Sequence, residues 1–337
     1  MTTKYSIPVP LRYLINTALL IAFLVLGNMI MQAGILNRAQ NAMIIQIGFF
    51  IILAVSLNLT AGYLGQLPLG HAGFMAVGAY TAAIFWRSGL LPSGPSMVVG
   101  LILGGLLAAV FGVIIGVPAL RLKGDYLAII TLGFGEIIRV IINNLSSITR
   151  GAQGLMPIPR YSNFMLVYIC VIITCVAIHM LMKSRHGRAI LSIRENEIAS
   201  ESCGINTTYY KVMTFAFSAF FAGIAGGIFA GNLGILMPAD FDFMTSINIL
   251  MMVVLGGMGS MIGSVVAAAV LTSLPLFMAA LNEYRMVIFA LLLIIVMIFK
   301  PSGLFGNYDF SLSRLLEKLI NFIATVFAVK QKKGGGN

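Results

Sequence analysis

Long runs of apolar residues, separated by short segments that carry most of the charges, set the pattern of this chain. Each run approaches the roughly 20 apolar residues that a helix needs to cross a bilayer. The pattern therefore predicts an all-α integral membrane protein with about ten transmembrane helices, of which the eighth is the shortest. The predicted spans cover residues 13–34, 42–60, 69–87, 97–118, 125–143, 163–183, 211–232, 243–257, 262–281 and 285–300.

Composition supports a membrane location, since 59% of the 337 residues are hydrophobic and only 9% are charged. A soluble domain carries roughly a quarter charged residues. Two helical stripes of small residues, Gly100–Gly116 and Ala219–Gly231, place glycine or alanine at every fourth position. Such stripes let helix backbones approach closely in lipid. We expect this packing within one subunit, with a contact between subunits as the alternative.

The net charge of +11 is unevenly distributed along the chain. Fifteen Lys and Arg residues lie in segments on one side of the predicted membrane and five on the other, with Arg139 inside a span. Basic residues concentrate in cytoplasmic loops, so this asymmetry predicts that both termini are cytoplasmic. Because the basic residues follow this topology, the charge does not indicate nucleic-acid binding.

Two glycine-rich segments interrupt the apolar runs, at residues 62–74 and 256–263. Glycine and Pro68 at such density oppose a regular helix. Irregular backbone at membrane depth is tolerated only inside protein or along a water-filled cavity. The segments are either helix breaks on a substrate path or simple tight turns.

Glu136 and Arg139 lie on one face of the fifth predicted span. Residues three apart on a helix can pair, and ionisable side chains in a membrane avoid lipid. They form either a structural ion pair or part of a pathway.

The most charged segment runs from Lys183 to Gly204 and includes the apolar residues Ile190, Leu191, Ile193 and Ile198. It predicts a short amphipathic helix that ends at Gly204, a residue type suited to a helix C-terminus. An amphipathic helix outside the membrane needs a surface to dock on, and we favour a partner protein over the lipid surface.

Known catalytic patterns are absent from the sequence. The chain has no phosphate-binding Gly-x-x-x-x-Gly-Lys-[Ser/Thr] loop, no His-Glu-x-x-His and no Gly-x-Ser-x-Gly. Its three cysteines, Cys170, Cys175 and Cys203, suggest no disulfide framework. We therefore expect a protein that is not an enzyme and binds no metal.

The order of these motifs resembles the branched-chain amino acid permease subunits of ATP-binding-cassette (ABC) importers. The matching segments are Ser56–Tyr80, Lys123–Arg139, Gly187–Ile205, Leu255–Ser260 and Lys300–Gly306. The chain resembles the longer of the two permease types. One position departs from the usual Thr-Gly-Gly-x-x-Gly pattern, since Arg150 follows Thr149.

The resemblance implies a bacterial inner-membrane assembly with a second, dissimilar permease, two ATP-binding subunits and an extracytoplasmic substrate-binding protein. It implies a permease domain over residues 1–306 with a coupling loop at 184–210, and ATP bound only by the partner subunits. Residues expected at the ATPase contact are Gly187, Arg188, Arg194, Glu195, Glu197 and Gly204. Residues expected along the translocation path are Gln66, Gly70, His71, Thr131 and Glu136.

Other functions share parts of this pattern. A permease for urea or short amides has the same architecture and similar motifs. An ion-coupled secondary transporter would need a functional carboxylate inside the membrane, and Glu136 is the candidate. Residues 307–337 place apolar side chains at helical spacing, which predicts an amphipathic and partly disordered cytoplasmic tail.

Overall fold

A computed structural model describes residues 9–34, 36–122 and 124–277, together with Tyr284, Val287, Leu291, Ile294, Ile298 and Gly303. The predicted tenth span lies almost entirely outside the described residues. The predicted tail at 307–337 lies wholly outside them. The chain divides into two compact units, residues 37–307 and a unit that contains residues 1–36. Each is described by itself.

The first unit contains one described helix, α1, at Val9–Gln32. The helices of the second unit are α2 (Arg38–Asn58), α3 (His71–Ser88), α4 (Ser93–Ala119), α5 (Asp125–Asn144), α6 (Ser146–Thr149), α7 (Phe164–Lys183), α8 (Arg185–Glu195), α9 (Glu197–Ser202), α10 (Thr207–Leu233), α11 (Phe243–Gly256) and α12 (Met261–Phe277). A π-turn at Leu59–Tyr63 and short 3₁₀ turns at Gly151–Gln153 and Pro238–Phe241 complete the helical structure of the described residues. The chain is an all-α, multi-pass membrane protein.

Four helices of the described chain are long and apolar enough to cross a membrane: Arg38–Tyr63, Ser93–Ala119, Phe164–Lys183 and Thr207–Leu233. Shorter apolar helices cover Leu20–Gln32, Phe243–Gly256 and Met261–Leu274. The first nine predicted spans each correspond to one of the observed helices.

Helices α2 and α10 lie at the centre of the second unit. Helix α10 packs on α2, α3 and α4, and α2 also packs on α7, α11 and α12. The C-terminal half of α2, from Ile51 to Asn58, is buried. Outward faces of α4 and α7 expose large apolar side chains, among them Ile102, Ile114 and Ile173. Apolar faces of this kind suit contact with lipid or with another membrane protein.

The two small-residue stripes meet inside the chain, as predicted. A Cβ added to Gly223 would press against Ala108 and against the backbone of Gly104 and Gly105, and one at Gly112 would press against Ala219. Glycine therefore sets the separation of α4 and α10 by allowing backbone to touch backbone.

Candidate functional site

Helix α2 does not lead directly into α3. Its last residues widen into a π-turn at Leu59–Tyr63, and the chain is irregular from Leu64 to Gly70 before α3 begins at His71. We call Leu64–Gly70 the broken segment. Gly65 has a φ of +76°, a backbone conformation that side chains other than glycine rarely adopt. Leu64, Pro68 and Gly70 are buried, whereas Gly65 and Leu67 are exposed. Protein therefore covers both ends of the broken segment, and its middle is open, as suits irregular backbone beside a water-filled space.

The glycine-rich segments of the two halves of the chain meet at the π-turn. The Asn58 side-chain oxygen accepts a hydrogen bond of 2.8 Å from the backbone N–H of Gly259. A Cβ on Gly62 would overlap both that oxygen and the Gly259 backbone. Gly303 packs in the same way on the backbone of Gly257. These two segments form one contiguous contact, in which residues 257–260 make a tight turn closed by the Ser260 N–H and the Gly257 carbonyl.

The other end of the broken segment is fixed to α5 and α11. The backbone N–H of Leu69 donates to Thr131 Oγ1 at 3.0 Å. A Cβ on Gly70 would overlap the Thr131 carbonyl oxygen. The N–H of Ala72, which has no acceptor in the first turn of α3, donates to Ser246 Oγ at 3.1 Å. The broken segment is therefore held at this end by side chains from two other helices.

A small cavity, open to the outside, lies beside this end of the broken segment. Its walls come from α3, α5, α11 and the 3₁₀ turn before α11, and include Leu69, Gly73, Glu136, Asp242 and Ser246. Glu136 Oε2 accepts hydrogen bonds from Arg139 at 2.7 Å from Nε and 2.6 Å from Nη2. About a third of each side chain is exposed. The carboxylate on the cavity wall is thus balanced by a guanidinium on the same helix.

Helices α8 and α9 form a bent pair beside the π-turn. Ser184 caps α8 by accepting from the N–H groups of His186 and Gly187, and Asn196 caps α9 by accepting from Ala199. The single helix predicted for this segment is therefore two helices. Ile190 and Ile193 form a buried cluster with Leu64 of the broken segment.

Two charged contacts attach the pair to the rest of the chain. Arg194 Nη1 donates to the carbonyl oxygen of Gly62 at 2.8 Å. Lys211 Nζ, on a side chain only 4% exposed, lies 2.6 Å from Glu197 Oε1. The first contact ties α8 to the π-turn, and the second ties α9 to the first turns of α10.

Comparison with known proteins gives the family. Residues 39–297 match the family described as "Branched-chain amino acid transport system / permease component". The chain is 37% identical, over 292 residues, to the high-affinity branched-chain amino acid transport system permease protein LivM of Salmonella typhimurium, covering 76% of this chain and 67% of that protein. The chain belongs to the branched-chain amino acid transport permease family.

Further relatives distinguish the two permease types. LivM of Escherichia coli is 36% identical over 292 residues, with 76% of this chain and 67% of that protein covered. The permease protein LivH of Salmonella typhimurium is 24% identical over 282 residues, with 77% of this chain and 91% of that protein covered. The chain is thus a LivM-like member of the family, the longer type, as the sequence motifs predict. No solved structure matches it.

In this LivM-like permease, the residues predicted for the translocation path lie in three places. Gly70, Thr131 and Glu136 lie at or beside the cavity, whereas Gln66 is half-buried in the middle of the broken segment. His71 is 2% exposed, and its Nε2 lies 3.0 Å from Ser56 Oγ. The imidazole therefore joins α3 to α2, away from the residues that line the cavity.

The residues predicted for the ATPase contact also differ in what they touch. Arg188 and Glu195 are exposed. Gly187 is buried where a Cβ would overlap the Met182 backbone, and Gly204 follows α9 with a φ of +82°. Arg194, which is also exposed, and the half-buried Glu197 bind groups of this same chain.

Part of the apolar face of the helix pair packs on this chain itself. The sequence predicted docking of its apolar residues on another protein, but Ile190 and Ile193 are buried against this chain because Leu64 and neighbouring residues fill that position. Leu191 and Ile198 remain exposed, at 37% and 72%.

Arg150, the departure from the family pattern, adopts a left-handed conformation with a φ of +60°. Its Nη1 donates to the Met156 carbonyl at 3.2 Å. The loop that it occupies is joined to the loop after α10 by paired backbone hydrogen bonds between Leu155 and Leu236. An arginine therefore occupies a conformation that glycine adopts at less cost.

Sequence reasoning missed three residues: Asn58, Lys211 and Ser246. The sequence marks two of them as unusual. Asn58 is a polar residue in an apolar run, and Lys211 is a lysine at the start of a spanning helix, where it needs water or a carboxylate. The hydrogen-bond partner of Asn58 lies 201 residues away along the chain and that of Lys211 lies 14 residues away, so the sequence did not predict either pairing. Among the described residues, no group of three His, Cys, Asp or Glu side chains is arranged to hold a metal ion.

Proposed function

We propose that this chain is the transmembrane permease subunit of an ABC importer that takes up the branched-chain amino acids leucine, isoleucine and valine. The substrate is the one that the LivM relatives carry in their names. The observation that carries the proposal is the joint between the helix pair and the broken segment, in which Ile190, Ile193 and Arg194 hold Leu64 and Gly62. The helix pair lies outside the spanning helices and binds the irregular backbone of the broken segment directly. This contact suits a transporter that is driven by a partner protein.

The assembly that we propose contains a second permease, two ATP-binding subunits and an extracytoplasmic binding protein. The second permease is a LivH-like subunit, which is consistent with the 24% identity of this chain to LivH. Arg188, Leu191, Glu195 and Ile198 are exposed on the helix pair and form the surface offered to an ATP-binding subunit. ATP is bound and hydrolysed by those subunits, and this chain supplies no catalytic group.

The proposed orientation places the helix pair, the broken segment and both termini on the cytoplasmic side of a bacterial inner membrane. The excess of Lys and Arg in the segments assigned to that side supports it. The loops joined by Leu155 and Leu236 then face the binding protein. Arg150 lies on that surface and distinguishes it from the usual glycine-containing loop.

The translocation path that we propose runs along the broken segment to the cavity beside Thr131 and Glu136. Gly70 lets the chain touch the Thr131 backbone. Gln66 Oε1, which is buried and has no hydrogen-bond partner within the described part of the chain, is a polar group that a passing substrate can contact. ATP-driven closure of the ATP-binding subunits would rock the two permeases and open this path to alternate sides.

Ion-coupled transport fits less well, because the Glu136 carboxylate is bound by the Arg139 guanidinium. Import of urea or short amides remains the alternative substrate class.

Uptake of labelled leucine tests the proposal in cells with and without the gene. We expect uptake to fall on deletion, to be lost on ATP depletion and to survive an uncoupler. Unlabelled isoleucine and valine should compete, whereas urea and acetamide should not. Uptake that follows the proton gradient would contradict the ABC assignment, and unchanged leucine uptake with lost urea uptake would contradict the substrate.

A further inference from the structure

Gly62 lies in the π-turn that follows α2, at the end of this helical segment. Carbonyl groups at such an end have no N–H donor within the helix. Arg194 supplies a donor from α8, at 2.8 Å. A positive charge at a helix C-terminus is also favoured by the helix dipole. The Arg194 side chain passes close to Gly65 as well, since a Cβ at Gly65 would lie 3.0 Å from Arg194 Cγ. One side chain thus contacts both Gly62 and Gly65, on either side of the junction with the broken segment.

Gly62 has no free space in which to move independently. Its α-carbon faces the Asn58 side-chain oxygen and the Gly259 backbone so closely that a methyl group would overlap both. Asn58 and Gly259 are hydrogen-bonded to each other. A displacement of the Gly62 carbonyl therefore also displaces the loop between α11 and α12.

Besides the apolar cluster of Ile190 and Ile193 with Leu64, the helix pair has two charged anchors of different character. The Lys211–Glu197 ion pair holds α9 to α10, a helix at the centre of the fold. Arg194 holds α8 to an irregular turn with a single charged hydrogen bond. Because regular helices resist deformation more than glycine-rich turns, a force on the pair acts first on the turn.

We infer that Arg194 is a positioning residue that passes movement of the helix pair α8–α9 to the broken segment Leu64–Gly70 through the Gly62 carbonyl. This inference rests on the proposed function, because the force comes from an ATP-binding subunit. It adds to the ATPase contact that the sequence predicted for Arg194, since the guanidinium also binds the Gly62 carbonyl of this chain. Arginine suits the role because its planar group carries several donors and stays charged.

The test compares complete transporters, purified with all partner subunits and reconstituted in liposomes. The variants are Arg194→Ala, Arg194→Lys and the control Arg121→Ala, which removes an exposed arginine between α4 and α5, outside the helix pair. We expect Arg194→Ala to lower leucine uptake about ten- to a hundredfold, the loss that one charged hydrogen bond represents, with ATP hydrolysis retained. Arg194→Lys should recover part of the uptake, and Arg121→Ala should match the parent.

A second readout follows the broken segment directly. Leu67, which is 41% exposed, is replaced by cysteine after the three native cysteines are replaced by serine. Its rate of labelling by a water-soluble maleimide is measured without nucleotide and with ATP plus vanadate. We expect the rate to depend on nucleotide when Arg194 is present and to lose that dependence in Arg194→Ala, whichever amino acid the transporter carries.

The possible results distinguish a failure of the role inferred for Arg194 from a failure of the proposed function. Unchanged uptake and unchanged nucleotide-dependent labelling in Arg194→Ala would overturn the inference. Loss of ATP hydrolysis in parallel with uptake, in an assembled complex, would also overturn it and indicate a direct ATPase contact. Nucleotide-dependent labelling that requires Arg194, in a complex that does not carry leucine, would support the inference and reject the proposed substrate.

Discussion

Asn58 and Gly259, which lie 201 residues apart in the chain, are joined by a hydrogen bond of 2.8 Å from the Gly259 N–H to the Asn58 side-chain oxygen. Asn58 is 0% exposed. The bond connects the end of α2 to the loop between α11 and α12, so the two glycine-rich segments form one structural feature. A buried backbone donor that loses its acceptor costs more than the bond itself contributes.

Replacing Asn58 by alanine removes that acceptor and leaves the Gly259 N–H unpaired. We expect the free energy of unfolding to fall by about 1–3 kcal/mol. Thermal unfolding of the purified protein in detergent measures the change. Asn144→Ala, at an exposed position where the side chain bonds only to its own helix, serves as the control and should differ little from the parent. Equal stability of the two variants would show that the Asn58–Gly259 contact contributes nothing.

Two glycine-to-alanine changes should act in opposite directions. At Gly62, the added methyl group overlaps Asn58 and Gly259, and such overpacking costs about 1–3 kcal/mol. At Gly133, within α5, a Cβ meets nothing within 4 Å, and alanine in a helix is favoured over glycine by about 0.5–1 kcal/mol. Unfolding of the isolated chain should therefore shift downward for the first variant and upward for the second. A stable Gly62→Ala protein would contradict the close approach of the two loops.

Charge reversal tests the contact between α9 and α10. Lys211→Glu places a carboxylate beside Glu197, in surroundings where the native lysine is 4% exposed. Breaking a buried pair costs about 3–5 kcal/mol, and we expect less here because Glu197 is 26% exposed. Lys211→Glu combined with Glu197→Lys should recover most of the lost stability in a double-mutant cycle. No recovery in the double variant would mean that the two side chains do not interact.

Arg150→Gly restores the residue type usual in the family at a left-handed position. A non-glycine residue pays about 1–2 kcal/mol for this conformation. The change also removes an exposed hydrogen bond to Met156 and adds freedom to the unfolded chain, both of which reduce the gain. We expect the variant to be as stable as the parent or slightly more stable in thermal unfolding. A clear destabilisation would show that the arginine side chain, and not the backbone, determines the stability of this loop.

The sequence predicted the spanning helices well because a run of apolar residues is a direct property of a membrane helix. The span predicted at 163–183 is observed as Phe164–Lys183. The Gly62–Phe74 motif also predicted a helix break, since glycine and Pro68 act locally. The division between α8 and α9 was readable in principle, because asparagine at position 196 followed by glutamate is typical of a helix start.

The spacing of apolar residues along the sequence did not predict the contacts within the site. Arg194 and Gly62 lie 132 residues apart. The sequence did not show which of the several basic residues in the same segment donates to the Gly62 carbonyl. Likewise, the amphipathic pattern of α8 predicted that its apolar face packs on another surface. It did not predict that this surface includes Leu64 of the same chain. Both depend on how α7 and α10 place the helix pair beside the π-turn, which is a property of tertiary packing.

ATP-dependent accumulation of labelled leucine in proteoliposomes tests whether this chain is the permease subunit of an ABC importer. The complex would be expressed with its second permease and ATP-binding subunits and supplied with the binding protein and leucine outside. We predict that leucine accumulates only with ATP enclosed, that omission of the binding protein stops it, and that exchanging Arg188→Glu and Glu195→Lys in this chain abolishes it without loss of membrane insertion. Leucine accumulation without ATP, driven by an imposed proton or sodium gradient, would contradict the assignment to an ABC importer.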